Sequence, residues 1–408
     1  MKKIIFLVCI ALLAACHKDD DNDKQEDLPG RTVLVYMSGE NSLSYTAPVD
    51  LQEMKEGSKK IGKNDNLLVY YDRRQTGELP WLGRIKDGII VDSVSVADMN
   101  ISNVDPPASD PHVMEDVLKY AYSHYPALDG YGLVLWGHCN GWVLEDSIAY
   151  TRAWGIDDGR DQPGGPGRVL INIPTIRRVL EKQPHLDFIF ADCCLFMCME
   201  SVYELREVAD YIIGPPAEIP TDGAPYATVV PAMFDRDDFA IKMVENYYED
   251  YEDDLLLTAV ETKGMDELAE ATRNVLEAIY DRLDTEYPDV SGLIHYYYDA
   301  TNDGTFKSWA ATYHDAGDFI MRYATDEEYQ TWKEALDNVI VAKTYAEWWT
   351  TDKNWNPYYT DFTMSPERAH GLSMFIRQDP ISYYYQRRNP ELERFLWYYA
   401  VWERPTTE

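Results

Sequence analysis

The chain has few basic residues, few cysteines and no long apolar run near its start, and each shortage excludes something. Lys and Arg together number 37 against 71 Asp and Glu, a net charge of −34. Such a surface repels phosphate backbones and anionic lipid, which argues against nucleic acid as a partner. The N-terminal apolar stretch, Ile4 to Leu13, is too short to cross a bilayer, which takes about 20 residues. Only six cysteines occur, and none forms a Cys-x-x-Cys pair. The remaining zinc candidates, His138, Cys139, Cys194 and Cys198, make a poor tetrahedral set, so no metal is expected. No acidic run has the ligand order of an EF-hand, which leaves calcium without a place. Internal repeats and a collagen-like or disordered bias are missing too. With 408 residues, 45% hydrophobic and 26% charged, the bulk of the chain should fold around a sizeable core.

The first residues read as a processing signal: Lys2 and Lys3 precede the apolar run, which ends in Leu13-Ala14-Ala15-Cys16. That tetrapeptide resembles the lipobox of bacterial lipoproteins, which implies a lipid on Cys16 and a signal peptide over 1–15. The following acidic run, His17 to Asp23, reads as part of a flexible tether over 16–29. It is similar to the signal that sends lipoproteins of the Bacteroidetes to the cell surface. The expectation is an outer-membrane lipoprotein at the cell surface, touching membrane only through Cys16. With Cys9 removed, Cys139, Cys193, Cys194 and Cys198 remain. Three of them crowd into 193–198, poor spacing for a disulfide framework, so their role is read as chemical or core-filling.

Short, nearly continuous apolar segments recur at 32–37, 66–71, 132–136, 186–191 and 211–213, and stretches between them can form helices. Such runs suit a parallel sheet covered on both faces. Helices are expected at about 111–123 and 174–182, each opening on a proline. The Pro/Gly-rich stretch 161–168 reads as an exposed loop. The pattern predicts an α/β domain over 30–237, then a helical C-terminal portion over 238–408 that packs on the sheet and carries a late strand at 371–376.

Two motifs directly follow apolar strands, the position where open α/β sheets place their sites. One is Trp136-Gly137-His138-Cys139-Asn140-Gly141-Trp142; the other is Asp192-Cys193-Cys194-Leu195. If their strands are neighbours, His138 and Cys194 meet across the top of the sheet. An imidazole beside a thiol stabilises the thiolate and can deliver a proton to a leaving amine. Cys193 would face the other side of an extended strand, which favours Cys194 as the nucleophile.

The two motifs together resemble the caspase-like cysteine peptidases, and the match to clostripain-like peptidases (family C11) covers most of the chain. Tyr36 to Leu43 resembles that family's M-x-G-x-N-x-L segment and is followed by Asp50-Leu51-Gln52-Glu53-Met54. Trp136 to Trp142 resembles W-G-H-G-x-G-W, Asp192 to Met197 resembles the D-A-C-L-M nucleophile region, and Gly371-Leu372-Ser373 is similar as well. The resemblance implies a caspase-like three-layer α/β/α sandwich with a mostly parallel central sheet. It implies a cysteine endopeptidase with His138 and Cys194 catalytic and an oxyanion hole from the backbone N–H groups of Cys139 and Cys194. Asp192 and Asp222 would line a pocket for Arg or Lys before the cut, so peptides with those residues are the expected partners. Self-cleavage between His138 and Cys194 is implied too, with Arg152, Arg160 and Arg168 as candidates. No cofactor is expected, although resemblance to clostripain suggests calcium.

Bland readings stand beside these. Asp222 before Gly223 suits a turn. Tyr313 to Asp318 reads as packing or a helix cap. Where the family has Gly and Ala, this chain has Cys139 and Cys193, which keeps open a second reading, an inactive surface lipoprotein of the same fold that binds protein or glycan.

Overall fold

The computed structural model describes residues 30–75, 77–144, 154–158, 169–251, 255–296, 313–345, 348–349, 362–363, 365–379 and 383–403. In chain order its elements begin β1 (Thr32–Gly39), α1 (Ala47–Ser58), β2 (Asn66–Arg73), β3 (Trp81–Lys86), β4 (Ile89–Ser95), α2 (Pro111–His124) and β5 (Tyr131–Trp136). They continue with β6 (Trp154–Asp157), β7 (Val169–Ile171), α3 (Ile173–Leu180), β8 (Leu186–Asp192), α4 (Met199–Leu205) and β9 (Ala209–Gly214). Then come α5 (Tyr226–Met233), α6 (Phe239–Asp250), β10 (Thr258–Glu261), α7 (Met265–Arg282), β11 (His314–Asp315), α8 (Ala316–Tyr323), α9 (Asp326–Asp337) and β12 (Ile340–Lys343).

The apolar segments of the sequence form the centre of a nine-stranded sheet, ordered β12-β10-β9-β8-β5-β1-β2-β3-β4. From β9 to β2 every pairing is parallel. Both faces of these strands are covered. Along β1, Leu34 and Tyr36 enter one buried cluster while Val33, Val35 and Met37 enter the other. That division explains why the strand is apolar throughout instead of alternating. The Val33 side is roofed by α1, α5 and α6 through Met54, Val229, Val230, Met243 and Tyr247. The Leu34 side carries α2, α3, α4 and α7 through Val117, Ile176, Val202 and Leu276. The result is the expected three-layer α/β/α arrangement.

The helices start where their capping chemistry directs. Asp110 accepts from the N–H groups of His112 and Val113 at 2.8 and 3.4 Å, with Pro111 in the first turn of α2. Thr325 and Glu328 form a reciprocal capping box on α9. Asp315 caps α8 by accepting from Asp318 N–H at 2.8 Å, the role read for the 313–318 cluster.

Four further strands join the sheet at its edges. β3 and β4 form an antiparallel hairpin on β2, turning at Asp87 (φ 51°) and Gly88 (φ 84°). Asp-Gly is a strong hairpin signal, because both turn residues need positive φ. At the opposite edge β10 and β12 add antiparallel to β9, so the region beyond residue 238 supplies strands as well as helices. The late strand shrinks to Ser373–Met374, paired with β11.

Arg31 ties the start of β1 to β8 and to the turn between α5 and α6. Its guanidinium donates to the carbonyls of Met233 and Asp235 at 2.9 Å each, pairs with Asp187 at 2.9 Å and lies 4.7 Å over the Phe239 ring. Replacing Arg31 by Met strips Asp187 of its partner inside a partly dry site, and about 2–3 kcal/mol of stability should be lost. Urea unfolding reads this as a lower midpoint at unchanged slope; an unmoved midpoint would show the anchor to be dispensable.

Candidate active site

Strand register sets the geometry. β5 and β8 are adjacent and parallel, with Trp136 opposite Asp192 at their carboxyl ends. His138 lies two residues past the first and Cys194 two past the second, so 56 positions of sequence separation collapse to one level of the sheet edge. The ladder continues one step as Gly137 N–H donates to the Asp192 carbonyl at 3.4 Å. His138 and Cys194 are both partly exposed.

The His138 loop is fixed from several sides. The His138 carbonyl accepts from Gly155 N–H at 2.9 Å. Asn41, buried just past β1, donates through Nδ2 to the carbonyls of Ser38 and Ile156 and accepts Leu43 N–H through Oδ1. This bracket presents the neighbouring Ser42, whose Oγ lies 2.7 Å from His138 Nε2. Further on, Gly141 has φ 54°, and a Cβ there would sit 2.3 Å from the Leu195 carbonyl oxygen. Only glycine lets the His loop approach the Cys loop so closely. Trp142 anchors the loop, fully buried, with its ring 4.9 Å from Phe375, and Tyr313 Oη donates to the Asn140 carbonyl at 2.7 Å.

On the other side β8 ends at Asp192 and the chain turns at Cys194 and Leu195. Leu195 adopts φ 58°, an uncommon conformation for a branched residue. It is held there by Leu195 N–H to the Ala217 carbonyl at 2.8 Å, with Met197 N–H to the Pro215 carbonyl at 3.0 Å following. Asp192 faces the layer of Tyr226 and Tyr247, while Cys193 sits in the opposite apolar cluster with Cys139, against which Cys194 in the turn also packs. Burial pushes the Cys193 thiol well up, reinforced by its hydrogen bond with Cys139, and burial likewise raises Cys198. Of these four cysteines Cys194 alone is partly exposed; the other three are buried.

A group of carboxylates gathers around Asp192, two residues before Cys194. Asp192 is buried and accepts from Tyr226 Oη at 2.8 Å, Ala224 N–H at 3.0 Å and Tyr247 Oη at 3.4 Å. Burial still pushes it up to about 6, with those three donors opposing. Asp50 on α1 accepts Trp136 Nε1–H at 2.7 Å. Burial first, then the charge on Asp192, pushes Asp50 up to about 8, and Glu53 and Asp222 add to the repulsion. Asp222 itself is exposed in the turn ahead of Gly223. Sequence reasoning named Asp192 and Asp222 and missed Asp50, Tyr226, Ser42 and Asn41. Asp50 and Ser42 stand inside the quoted family segments, where a contact with Trp136 or His138 leaves no local mark.

Glu40, Asp72 and Asp105, all buried, bring one carboxylate oxygen each within 4.8 Å of one another, the one such ligand group among the described residues. The self-cleavage candidates Arg152, Arg160 and Arg168 and the lipidation candidate Cys16 lie outside the described residues.

A mostly parallel sheet between helical layers, with a histidine and a cysteine level on adjacent strand ends, defines a caspase-like cysteine peptidase framework. The sequence pattern of the clostripain family matches residues 35–404, and the chain belongs to that family. It is similar to a secreted C11 cysteine protease from Bacteroides thetaiotaomicron, solved with an irreversible peptide inhibitor. Identity is 29% over 91% of this chain and 98% of that one, with a TM-score of 0.72. An inactive zymogen C11 protease from Parabacteroides distasonis is 26% identical over 92% of this chain and 99% of that one, at a TM-score of 0.74. No curated protein matches the chain.

Two outcomes follow from the site's burial and charge. Brief iodoacetamide treatment of the native protein should alkylate Cys194 and spare Cys139, Cys193 and Cys198, as read by peptide mass spectrometry; equal labelling of Cys193 would contradict the arrangement. Because Asp50 is raised in the folded chain, that chain binds the proton more tightly than the unfolded one between pH about 4 and about 8. Stability should therefore fall as pH rises through that window. Asp50→Asn keeps the Trp136 contact and should flatten that fall in thermal melts across the same pH range.

Proposed function

We propose that this chain is a cysteine endopeptidase that cuts peptide bonds after Arg or Lys, with Cys194 as nucleophile and His138 as acid and base. The observation that carries this reading is the level placement of His138 and Cys194 beyond the Trp136–Asp192 pair. The Cys194 thiolate attacks the scissile carbonyl carbon, and the oxyanion is met by the backbone N–H groups of Cys139 and Cys194. His138 then protonates the leaving amine as the C–N bond breaks, leaving a thioester on Cys194. Water, deprotonated by His138, hydrolyses the thioester and restores the thiolate. This chemistry needs no cofactor.

Preference for a cationic side chain is supported by the carboxylates beside Cys194. Burial raises Asp192 and Asp50, the charge on Asp192 raises Asp50 further, and Glu53 and Asp222 add negative potential. A substrate ammonium or guanidinium entering there relieves repulsion that a neutral side chain leaves in place. Self-cleavage at Arg152, Arg160 or Arg168 fits the same specificity, since all three lie between the catalytic residues in sequence. Leu13 to Cys16 supports export as a lipoprotein anchored at the cell surface through Cys16.

The test is turnover of fluorogenic peptides ending in Arg, Lys, Gln or Leu by the purified mature chain under reducing conditions, beside Cys194→Ala and His138→Ala. Arg or Lys substrates should exceed the neutral ones by at least about 100-fold in kcat/KM, and either variant should lose about 1000-fold or more. Turnover that survives Cys194→Ala, or none in the unaltered chain, overturns the peptidase reading. In the second case the binding role becomes the better account.

A further inference from the structure

Cys139 and Cys193 occupy the positions beside the two candidate catalytic residues, one directly after His138 and the other directly before Cys194. They are far apart in the chain, but β5 and β8 are paired up to Trp136 and Asp192, which brings the two loops together. Both side chains enter the same buried cluster, just past the paired ends of β5 and β8. The other two cysteines are engaged elsewhere: the Cys198 thiol donates to Ser201 Oγ at 3.1 Å, and Cys194 is the partly exposed residue of the turn. We infer that Cys139 and Cys193 form a disulfide when the chain folds in oxidising surroundings, a covalent bridge between the His138 loop and the Cys194 turn.

Sequence spacing alone counted against a disulfide framework; the β5–β8 pairing removes that objection for this pair. A disulfide needs Cα atoms within about 7 Å of each other, a reach that two loops leaving adjacent paired strands can meet. Chemically, each thiol gives up one hydrogen. A small-molecule disulfide such as oxidised glutathione takes up the two electrons and two protons through a mixed disulfide and leaves as two thiols. In the folded chain Cys139 and Cys193 are only 3% and 1% exposed, so the exchange belongs to folding, before the cluster closes. The same burial then shields the finished bond from reductant. Any cut between residues 139 and 193, Arg152, Arg160 and Arg168 included, would leave two pieces still joined by it.

The bridge is tested in a Cys194→Ala chain, so that catalytic failure and bridge failure are read separately. The chain is refolded with a reduced and oxidised glutathione mixture, or with reductant alone. The oxidised product should be lighter by two hydrogens, and digestion without reductant should release a linked pair of peptides carrying Cys139 and Cys193. Its melting temperature should exceed that of the reduced form by about 5 °C, because the bond closes a loop of about 50 residues. Adding Cys193→Ala should abolish both the mass loss and the melting shift while leaving the circular dichroism spectrum unchanged. Cys139 and Cys193 each found alkylated after oxidative refolding, or Cys193 linked to Cys198, would overturn the inference. The peptide map gives that answer even if Cys193→Ala fails to fold.

Discussion

The parallel pairing of β5 with β8 is the constraint on which the rest of the site depends. It runs from Gly132 opposite Phe188 to Trp136 opposite Asp192, with both faces of the pair packed in helical layers. A slip of one residue would exchange the faces of every side chain on one strand, pushing Asp192 into the apolar layer that now holds Cys193. Gly132 helps to enforce the register, because a Cβ there would meet the Phe188 ring at 2.3 Å. His138 and Cys194 inherit their positions from this ladder; neither loop could bring them level unaided.

The C-terminal portion completes what the ladder begins. Phe375 and Phe395 receive Trp142 from the His138 loop, while Ser373 N–H reaches the Met197 carbonyl just past Cys194 at 3.1 Å. Glu200, buried at the start of α4, accepts Phe375 N–H at 2.8 Å. Behind these contacts Asp315 caps α8, pairs with His370 Nδ1 at 2.9 Å and accepts from Tyr296 Oη at 2.5 Å. The His138 and Cys194 loops are thus clamped between the sheet edge and a polar network that begins more than a hundred residues later in the chain.

Electrostatics tie the site to the composition. A chain with a net charge of −34 carries repulsion everywhere, and solvent screens most of it. Asp192 and Asp50 lie where screening is weak, so burial and the charge on Asp192 push Asp50 up to about 8 and keep it protonated near neutrality. The donors from Trp136, Tyr226 and Tyr247 offset part of the cost.

The amino-acid sequence by itself determined the central strands, because a strand buried on both faces must be apolar along its whole length. It also marked His138 and Cys194, since a histidine or cysteine motif directly after such a run is a local pattern. The β3–β4 hairpin was not read from the sequence, although Asp87-Gly88 marks its turn, and neither were β10 and β12, four-residue strands set among strong helices. Only the tertiary structure decided that Asp50 touches Trp136, that Ser42 meets His138 and that Cys139 and Cys193 share one buried cluster. Each of those contacts joins residues whose separation along the chain is set by whole strands and helices. Their meeting follows from sheet order and register, which no local run of residues encodes.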